Sequence, residues 1–322
     1  MPSERVAVTP PMLADIPGLF APLMDRGLAV DVNPGPYPLD DAGLAAFLGD
    51  AIAAVVGLDR VSAGVFRACP RLRILARNGV GLDNVDLDAA TRSGVVVTTP
   101  LGANSTSVAE LTLGLLVALV RRIVATHNRA QSGVWIREPG IELAGKTLGV
   151  VGLGRIGKKV ATRALGFEMR VLANDIMPDV AFAAPRGIPF VRLTELLAEA
   201  DVVSLHVPLT PLTEWMMNAG TLARMKRGSF LVNTARGRVV DPHALAAALD
   251  RGHLAGAALD VHMVEGQVDK ALLGRPNVIT TTHLGAYTHE ALRRTAEVAV
   301  RSIVETLDGR RPEGLMNPAV WG

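Results

Sequence analysis

Short apolar runs rich in β-branched residues recur along this chain, and amphipathic stretches separate them. This alternation is typical of βαβ units, whose parallel strands are buried on both faces. The strand candidates before residue 100 are residues 5–9, 27–32, 51–57, 72–77 and 94–99. The first third of the chain is therefore predicted to form an α/β domain with a parallel sheet.

The alternation then stops and restarts. A long apolar helix is predicted from a cap at Asn104 or Ser105 through "LTLGLLVALVRRI" (111–123), followed by an irregular segment, "QSGVWIREPGIELAG" (131–145). Further strand candidates are "TLGVVGLG" (147–154), "RVLAND" (170–175), "DVVSLHVP" (201–208), "SFLVNTARG" (229–237), "LAGAALDV" (254–261) and "NVITTTHLGA" (277–286). A last helix is predicted over residues 288–308. The pattern thus predicts two doubly wound parallel-sheet α/β domains.

Composition narrows the class of protein. A chain of 322 residues with 49% hydrophobic content is long enough for two cores. The apolar run Leu111–Val120 is too short to cross a bilayer, the N-terminus has no secretion-signal pattern, and Cys69 has no second cysteine to pair with. We therefore expect a cytoplasmic protein without a membrane span. The net charge is +2 and the basic residues are scattered, so no nucleic-acid partner is expected.

The stretch "VVGLGRIG" (150–157) follows a predicted strand and opens a predicted helix. Gly152 permits the tight turn, Gly154 lets backbone approach a pyrophosphate, and Gly157 lets the helix pack close to the sheet. The alternative is an ordinary strand-to-helix turn. The helix start, with Arg155 and Ile156, offers free N–H groups to an anion.

Asp175 ends the next predicted strand, where its carboxylate can accept hydrogen bonds from the adenosine ribose. Its negative charge would repel a 2′-phosphate, which predicts NAD rather than NADP as the cofactor. No Cys/His cluster has metal-ligand spacing, so no metal is expected.

A series of motifs extends over nearly the whole chain: "RNGVGLDNVDLDAATRSG" (77–94), "ANSTSVAELTLG" (103–114), "GKTLGVVGLGRIG" (145–157), "HVPLT" (206–210), "VNTARGRVVD" (232–241), "AGAALDV" (255–261) and "HLGAYTHEA" (283–291). In these motifs the chain resembles the D-isomer-specific 2-hydroxyacid dehydrogenase family, in its phosphoglycerate dehydrogenase-like branch without regulatory domains. The resemblance implies a Rossmann cofactor domain (105–286) inserted into a flavodoxin-like substrate domain (1–104 and 287–322). It also implies a homodimer formed through residues 105–145.

The resemblance assigns three catalytic roles. Arg236 follows a strand and is a planar, permanently charged group that suits a carboxylate and the neighbouring carbonyl oxygen. His283 falls on the family's acid–base residue, and histidine titrates nearest to neutral pH. Glu265 matches the carboxylate that hydrogen-bonds this histidine and favours its protonated form. The family commonly has proline after that glutamate, whereas this chain departs from the pattern with Gly266.

The remaining site residues are predicted to bind substrate or cofactor. The loop Asn78, Gly79, Val80 and Gly81 is expected to direct backbone N–H groups at a substrate carboxylate, the alternative being an ordinary turn. The remaining positions predicted to contact the dinucleotide, some near the nicotinamide, are His206, Val207, Pro208, Thr234, Ala235, Arg236, Asp260, His283 and Gly285.

The sequence therefore predicts an NAD-dependent oxidoreductase that interconverts a small 2-hydroxy acid and its 2-oxo acid. Val56 stands where phosphate-binding members of the family have an arginine, although Arg60 or Arg77 would be able to compensate. This favours an unphosphorylated substrate such as hydroxypyruvate or glyoxylate. The alternatives are a phosphoglycerate dehydrogenase, an NAD(H)-sensing corepressor of the same fold, and a formate dehydrogenase-like enzyme, whose histidine would pair with glutamine rather than Glu265.

Overall fold

The computed structural model describes residues 4–264 and 266–321. The chain divides into two compact units, Met1–Asn104 with Thr288–Gly322, and Ser105–Tyr287. Each unit contains one parallel sheet with helices, which confirms the predicted fold class. Glu265 lies outside the described residues.

The strands are β1 (Arg5–Val8), β2 (Ala29–Val32), β3 (Ala53–Val56), β4 (Ile74–Arg77), β5 (Val96–Thr98), β6 (Thr147–Val151), β7 (Arg170–Asn174), β8 (Val202–Leu205), β9 (Ser229–Asn233), β10 (Leu254–Leu259) and β11 (Val278–Thr280). The helices are α1 (Ala21–Met24), α2 (Asp41–Leu48), α3 (Ala63–Ala68), α4 (Leu87–Arg92), α5 (Ser105–Val120), α6 (Ile123–Gln131), α7 (Arg155–Gly166), α8 (Val180–Ala183), α9 (Leu193–Glu199), α10 (Ala219–Leu222), α11 (Pro242–Asp250) and α12 (His289–Leu307). Short 3-10 helices lie at Pro11–Asp15, Ala184–Arg186, Gly237–Val239, Lys270–Leu272 and Pro318–Val320.

The sheet of the first unit has the order β2-β1-β3-β4-β5, and its paired strands are parallel. This is the flavodoxin-like order, which reverses direction between β1 and β3. The strands β3 and β4 are buried at every position, as expected for strands covered by helices on both faces. α12 covers one face and packs through Ala296, Val300 and Ile303 against Ile74.

The sheet of the second unit has the order β11-β10-β9-β8-β6-β7. Beyond β7 the chain makes one parallel bridge, between Ala173 and Phe190, where the third strand of a Rossmann sheet would lie. This strand is reduced to a single bridge, and it is not among the strand candidates that the sequence predicts. The order again reverses between the first strand, β6, and its neighbour β8.

One predicted element differs from the structure. The long apolar helix ends at Val120, and a second helix, α6, begins at Ile123. Arg122 separates the two helices with a left-handed backbone (φ 56°), although neither glycine nor proline marks the break. Within residues 4–264 and 266–321, no helix is long and apolar enough to span a membrane.

Candidate active site

The glycine-rich turn follows β6 at the point where the second sheet reverses. Gly152 has φ 92°, and a β-carbon there would lie 2.6 Å from the carbonyl oxygen of His206. A β-carbon on Gly157 would lie 2.0 Å from the carbonyl oxygen of Gly152. Both positions therefore exclude a larger residue. Gly154, by contrast, faces open space, with no atom within 4 Å of an added β-carbon. Gly152 and Gly157 thus allow the tight turn, and Gly154 leaves one face of it, the clear face, open to a ligand.

The clear face lies at the start of α7. Gly154 is the N-terminal cap of this helix, and Arg155 and Ile156 occupy its first turn. The first N–H groups of a helix have no intrahelical partner, and the helix dipole favours an anion there. The open side of Gly154 leaves space for a phosphate to reach those groups. The turn therefore fits the pyrophosphate of a dinucleotide.

Asp175 follows β7 and is partly buried beside the same turn. Its Oδ2 accepts a hydrogen bond from the Leu153 amide at 2.7 Å, and its Oδ1 accepts one from the Met177 amide at 2.9 Å. A carboxylate offers about four acceptor sites, so each oxygen retains capacity for another donor. The Leu153 bond also fixes the carboxylate relative to the glycine turn. Asp175 is therefore positioned to accept hydrogen bonds from ribose hydroxyls.

His206 follows β8, the strand next to β6 in the sheet. Its Nε2 lies 2.8 Å from the hydroxyl of the buried Ser204, and its Nδ1 is buried without a hydrogen-bond partner in the described structure. Burial lowers the pKa of His206 to about 3, so the ring is neutral at working pH. Such a ring is a poor general acid, which leaves His206 a binding or structural role. Val207 and Pro208 continue the loop.

The end of β9 positions Arg236. The side chain of Asn233 brackets this turn: its Oδ1 accepts from the Ala235 amide at 3.0 Å, and its Nδ2 donates to the Arg236 carbonyl at 2.9 Å. The buried Thr234 hydroxyl lies 2.9 Å from that of Thr112 on α5. Arg236 is partly buried, and its guanidinium donates to the Ala235 carbonyl at 2.7 Å.

His283 follows β11 in a left-handed backbone conformation, with φ 59°. Asp260, at the end of the neighbouring strand β10, is only 1% exposed. Its carbonyl oxygen accepts from the His283 amide at 2.8 Å, while its Oδ1 accepts from the Leu284 amide at 2.7 Å and its Oδ2 from the Gly285 amide at 2.8 Å. The Thr281 hydroxyl donates to Oδ1 at 2.6 Å. Asp260 therefore holds the loop that carries His283.

The segment around Glu265 is partly described. Gly266 has φ 80°, which proline cannot adopt because its ring fixes φ near −65°. The Gln267 amide donates to the Val264 carbonyl at 3.1 Å. The backbone at residue 266 therefore excludes the proline that is usual in the family and favours glycine.

The predicted substrate loop, residues 78–81, follows β4 in the first unit. The Asn78 amide donates to the Val56 carbonyl at 2.7 Å, and the Asn78 Oδ1 atom is buried without a hydrogen-bond partner in the described structure. Neither Gly79 nor Gly81 has a positive φ. The loop therefore does not use a left-handed glycine to direct its N–H groups toward one point. The Arg77 Nε donates to the Gly81 carbonyl at 2.9 Å, and this bond links the end of β4 to the far end of the loop. The unpaired Asn78 Oδ1 atom is an acceptor and would bind a donor rather than a carboxylate, so a carboxylate in this loop would have to bind to backbone N–H groups.

Sequence reasoning missed two supporting residues. Asn233 accepts from the amide two positions ahead, a local bond that asparagine favours at turns, and its place directly before "TARG" was the available signal. Ser204 is a buried polar residue within the apolar run of β8, which is itself a signal of a specific partner. Together they set the backbone beside Arg236 and the orientation of the His206 ring.

Comparisons with known proteins identify the family to which the chain is similar. Residues 113–285 match the sequence model described as "D-isomer specific 2-hydroxyacid dehydrogenase, NAD binding domain". The chain is 41% identical over 278 residues to a glyoxylate reductase of Korarchaeum cryptofilum, covering 84% of this chain and 83% of that protein. It is 42% identical over 260 residues to the D-3-phosphoglycerate dehydrogenase of Homo sapiens, covering 80% of this chain and 49% of that protein.

The chain thus spans about half the length of the D-3-phosphoglycerate dehydrogenase that it matches. Among solved structures, it resembles the TT0316 protein of Thermus thermophilus, with a TM-score of 0.89 and 42% identity over 97% of this chain and 99% of that one. The similarity to the solved structure therefore extends over both units of the fold.

Proposed function

The chain belongs to the D-isomer specific 2-hydroxyacid dehydrogenase family, and we propose that it is an NAD-dependent oxidoreductase acting between a small 2-hydroxy acid and its 2-oxo acid. One observation carries the proposal. The strands of the second sheet lie in the order β7-β6-β8-β9-β10-β11. The segments that follow these strands at the carboxyl-terminal edge carry, in the same order, Asp175, the glycine turn, His206, Arg236, Asp260 and His283. At about 4.8 Å per strand, the row of segments spans roughly 24 Å. A dinucleotide lying across this edge would have its ribose contact at one end and the acid–base at the other.

In the proposed reduction of a 2-oxo acid, each site residue of the chain has a separate role. NADH, when bound, supplies the hydride that C2 of the 2-oxo acid accepts. Arg236 holds the substrate carboxylate and polarises the carbonyl through charge-assisted hydrogen bonds. His283 donates a proton to the carbonyl oxygen, and in the reverse direction it removes the proton of the hydroxyl group. Glu265, which lies outside the described residues, remains the predicted partner of the His283 ring.

Substrate turnover tests this proposal. Purified protein with NADH is expected to reduce glyoxylate or hydroxypyruvate, followed as loss of absorbance by NADH. Arg236→Gln is expected to lower kcat/KM by about two decades or more, because the bound carboxylate loses its charged partner. Arg238→Gln, two residues further along and exposed, is the matched control and is expected to remain active. A protein that binds NADH but reduces no 2-oxo acid would favour a nucleotide-sensing protein instead.

A second candidate is the oxidation of 3-phosphoglycerate, and the names of relatives at 42% identity favour it. The position that aligns with the family's phosphate-binding arginine is Val56, which is fully buried. We therefore favour the unphosphorylated acid and a hydroxypyruvate or glyoxylate reductase. A hundredfold preference in kcat/KM for phosphohydroxypyruvate over hydroxypyruvate, about 2.7 kcal/mol, would reverse this choice.

We also propose a homodimer, formed through the later part of residues 105–145. α5 is mostly buried within its own unit, whereas α6 and the arm after it (residues 132–145) expose apolar side chains. Trp135 is 90% exposed, with Val134 and Ile136 exposed beside it, and a depression of about 480 Å³ lies between α6, the arm and β11. Light scattering is expected to give a dimer mass that Trp135→Ser lowers and Leu212→Ser, at another highly exposed apolar residue, does not. The predicted cytoplasmic location stays a prediction.

A further inference from the structure

The first unit has its own reversal point, between β1 and β3. In open parallel sheets, ligands bind at such points, outside the carboxyl ends of the strands. Here β1 is followed by Thr9 and β3 by Gly57, and the two strand ends are joined by the hydrogen bond from the Thr9 amide to the Val55 carbonyl, at 2.9 Å. Any side chain that fills the space beside Thr9 and Gly57 therefore limits the size of a ligand that could bind there.

The side chain of Tyr37 occupies it. Its hydroxyl oxygen accepts a hydrogen bond from the Leu58 amide at 2.8 Å. A β-carbon on Gly57 would lie 2.0 Å from that hydroxyl oxygen, 3.0 Å from the ring carbon that bears it, and 3.1 Å from Pro10. Residue 57 therefore has to be a glycine, because the tyrosine hydroxyl leaves no space for a β-carbon.

A buried carboxylate fixes both partners of this contact. Asp59 is fully buried; its Oδ2 accepts from the Gly57 amide at 3.2 Å and from the Thr9 hydroxyl, and its Oδ1 accepts from the Leu39 amide at 2.9 Å. One group therefore anchors the loop after β3 and the segment that carries Tyr37. Asp59 therefore fixes the position of the tyrosine relative to the loop after β3.

This loop adjoins the proposed substrate loop. Asn84 donates through Nδ2 to the carbonyl oxygens of Gly57, at 3.2 Å, and of Asp59, at 2.6 Å. The amide of Asn78 donates to Val56, the last residue of β3. A 2-oxo acid whose carboxylate lies on residues 78–81 would extend its C3 substituent toward the reversal point, where it would meet the Tyr37 ring and the exposed Leu58.

We propose that Tyr37 is a specificity-determining residue that limits the size of the substrate's C3 substituent and restricts the enzyme to short, unphosphorylated 2-oxo acids. The inference rests on the proposed function. Where the Tyr37 ring meets the loop, the chain offers a neutral phenol beside the buried, apolar Val56. The nearby Arg77 guanidinium donates to the carbonyl oxygens of Val56, at 3.5 Å, and of Gly81, at 2.9 Å. A phosphate or a branched chain would have to displace the ring from Gly57.

The test compares two substrates in four proteins. The measured quantity is the ratio of kcat/KM for 2-oxo-4-methylpentanoate to that for glyoxylate, which has no C3. Tyr37→Ala is expected to raise this ratio by about tenfold or more, the range for added methylenes in an apolar pocket. Tyr37→Phe keeps the ring and is expected to change it by less than about threefold. Met24→Ala, at an exposed site in the same unit, is the control.

The outcomes separate the two proposals. An unchanged ratio in Tyr37→Ala overturns the size limit, and so does a Tyr37→Phe shift as large as that of Tyr37→Ala. If circular dichroism shows that Tyr37→Ala is unfolded, Tyr37→Leu carries the same expectation with a smaller gain. A wild-type protein that reduces neither glyoxylate nor hydroxypyruvate overturns the proposed function instead, because the ratio then has no meaning.

Discussion

Asp260→Asn is predicted to misplace His283 and to lower kcat while the protein remains folded. Asparagine keeps the shape of the side chain, but only one of its two terminal atoms accepts hydrogen bonds. In the wild type both oxygens accept, from the Leu284 and Gly285 amides at 2.7 and 2.8 Å. One of these amides therefore loses its partner in the variant.

The magnitude follows from two competing terms. Losing one hydrogen bond to a buried charged group costs about 1.5–3 kcal/mol. A non-glycine residue held in the left-handed region, as His283 is at φ 59°, costs about 1–3 kcal/mol. Because the two terms are similar, the variant loop has enough driving force to relax. A shift of the acid–base by about 1 Å is expected to lower kcat by one to two decades.

The assay separates turnover from binding. Steady-state kcat is measured with the best 2-oxo acid, and the Kd of NADH is measured by fluorescence. We expect kcat to fall while the Kd changes by less than about threefold, or ~0.7 kcal/mol. Asp201→Asn is the control, because Asp201 caps the opposite edge of the same sheet and accepts from the Thr147 amide at 2.9 Å. This variant is expected to lose stability and to keep kcat.

Two results would count against this role. An unchanged kcat in folded Asp260→Asn would show that other contacts hold the loop. A Kd for NADH weakened tenfold or more with kcat retained would instead support the direct contact with the cofactor that the sequence predicts.

The remaining predictions concern the cofactor half of the site. Asp175→Ser is expected to lose about one to two decades of kcat/KM with NADH and to improve use of NADPH, and an unchanged ratio between the two cofactors would remove Asp175 from the ribose site. Gly154→Ala is expected to retain the fold while weakening NADH binding in calorimetry. Gly157→Ala is expected to lower the melting temperature, since its β-carbon would lie 2.0 Å from the Gly152 carbonyl oxygen. Equal effects of the two variants would contradict the role of Gly154 in leaving space for the cofactor. Burial lowers the pKa of His206 to about 3, so between about pH 6.5 and 3 the unfolded chain binds a proton that the folded chain does not. The free energy of unfolding should fall as pH drops through that window, by up to about 1.4 kcal/mol per pH unit, and urea melts of His206→Asn at pH 7 and 5 should show a weaker dependence.

The sequence predicts elements whose signal is local and misses those set by contacts distant in sequence. Buried parallel strands such as β3 have continuous apolar runs, and β4 has one up to its last residue, Arg77, so the alternation locates both. The break at Arg122 has no breaker residue, and the third Rossmann strand at Phe190 makes only one bridge. Neither leaves a pattern to recognise.

The same limit applies to the site. Strand ends followed by chemically useful side chains, such as Asp175 and Arg236, can be identified from sequence because parallel strands bring their carboxyl ends to one edge. The four bonds that Asp260 makes to the loop of His283 join residues more than twenty positions apart. The contact of Tyr37 with Gly57 likewise depends on the packed fold, since a bare glycine in a sequence does not reveal what lies against it.

His283→Ala tests whether this chain performs acid–base catalysis of hydride transfer. Turnover of the best 2-oxo acid with NADH and the Kd of NADH are measured for the wild type, for His283→Ala, and for His243→Ala at an exposed control position. We expect His283→Ala to lose about two to four decades of kcat with NADH still bound, and His243→Ala to match the wild type. A His283→Ala protein whose kcat stays within tenfold of the wild type would show that another group transfers the proton, and the assignment of the catalytic site would fail.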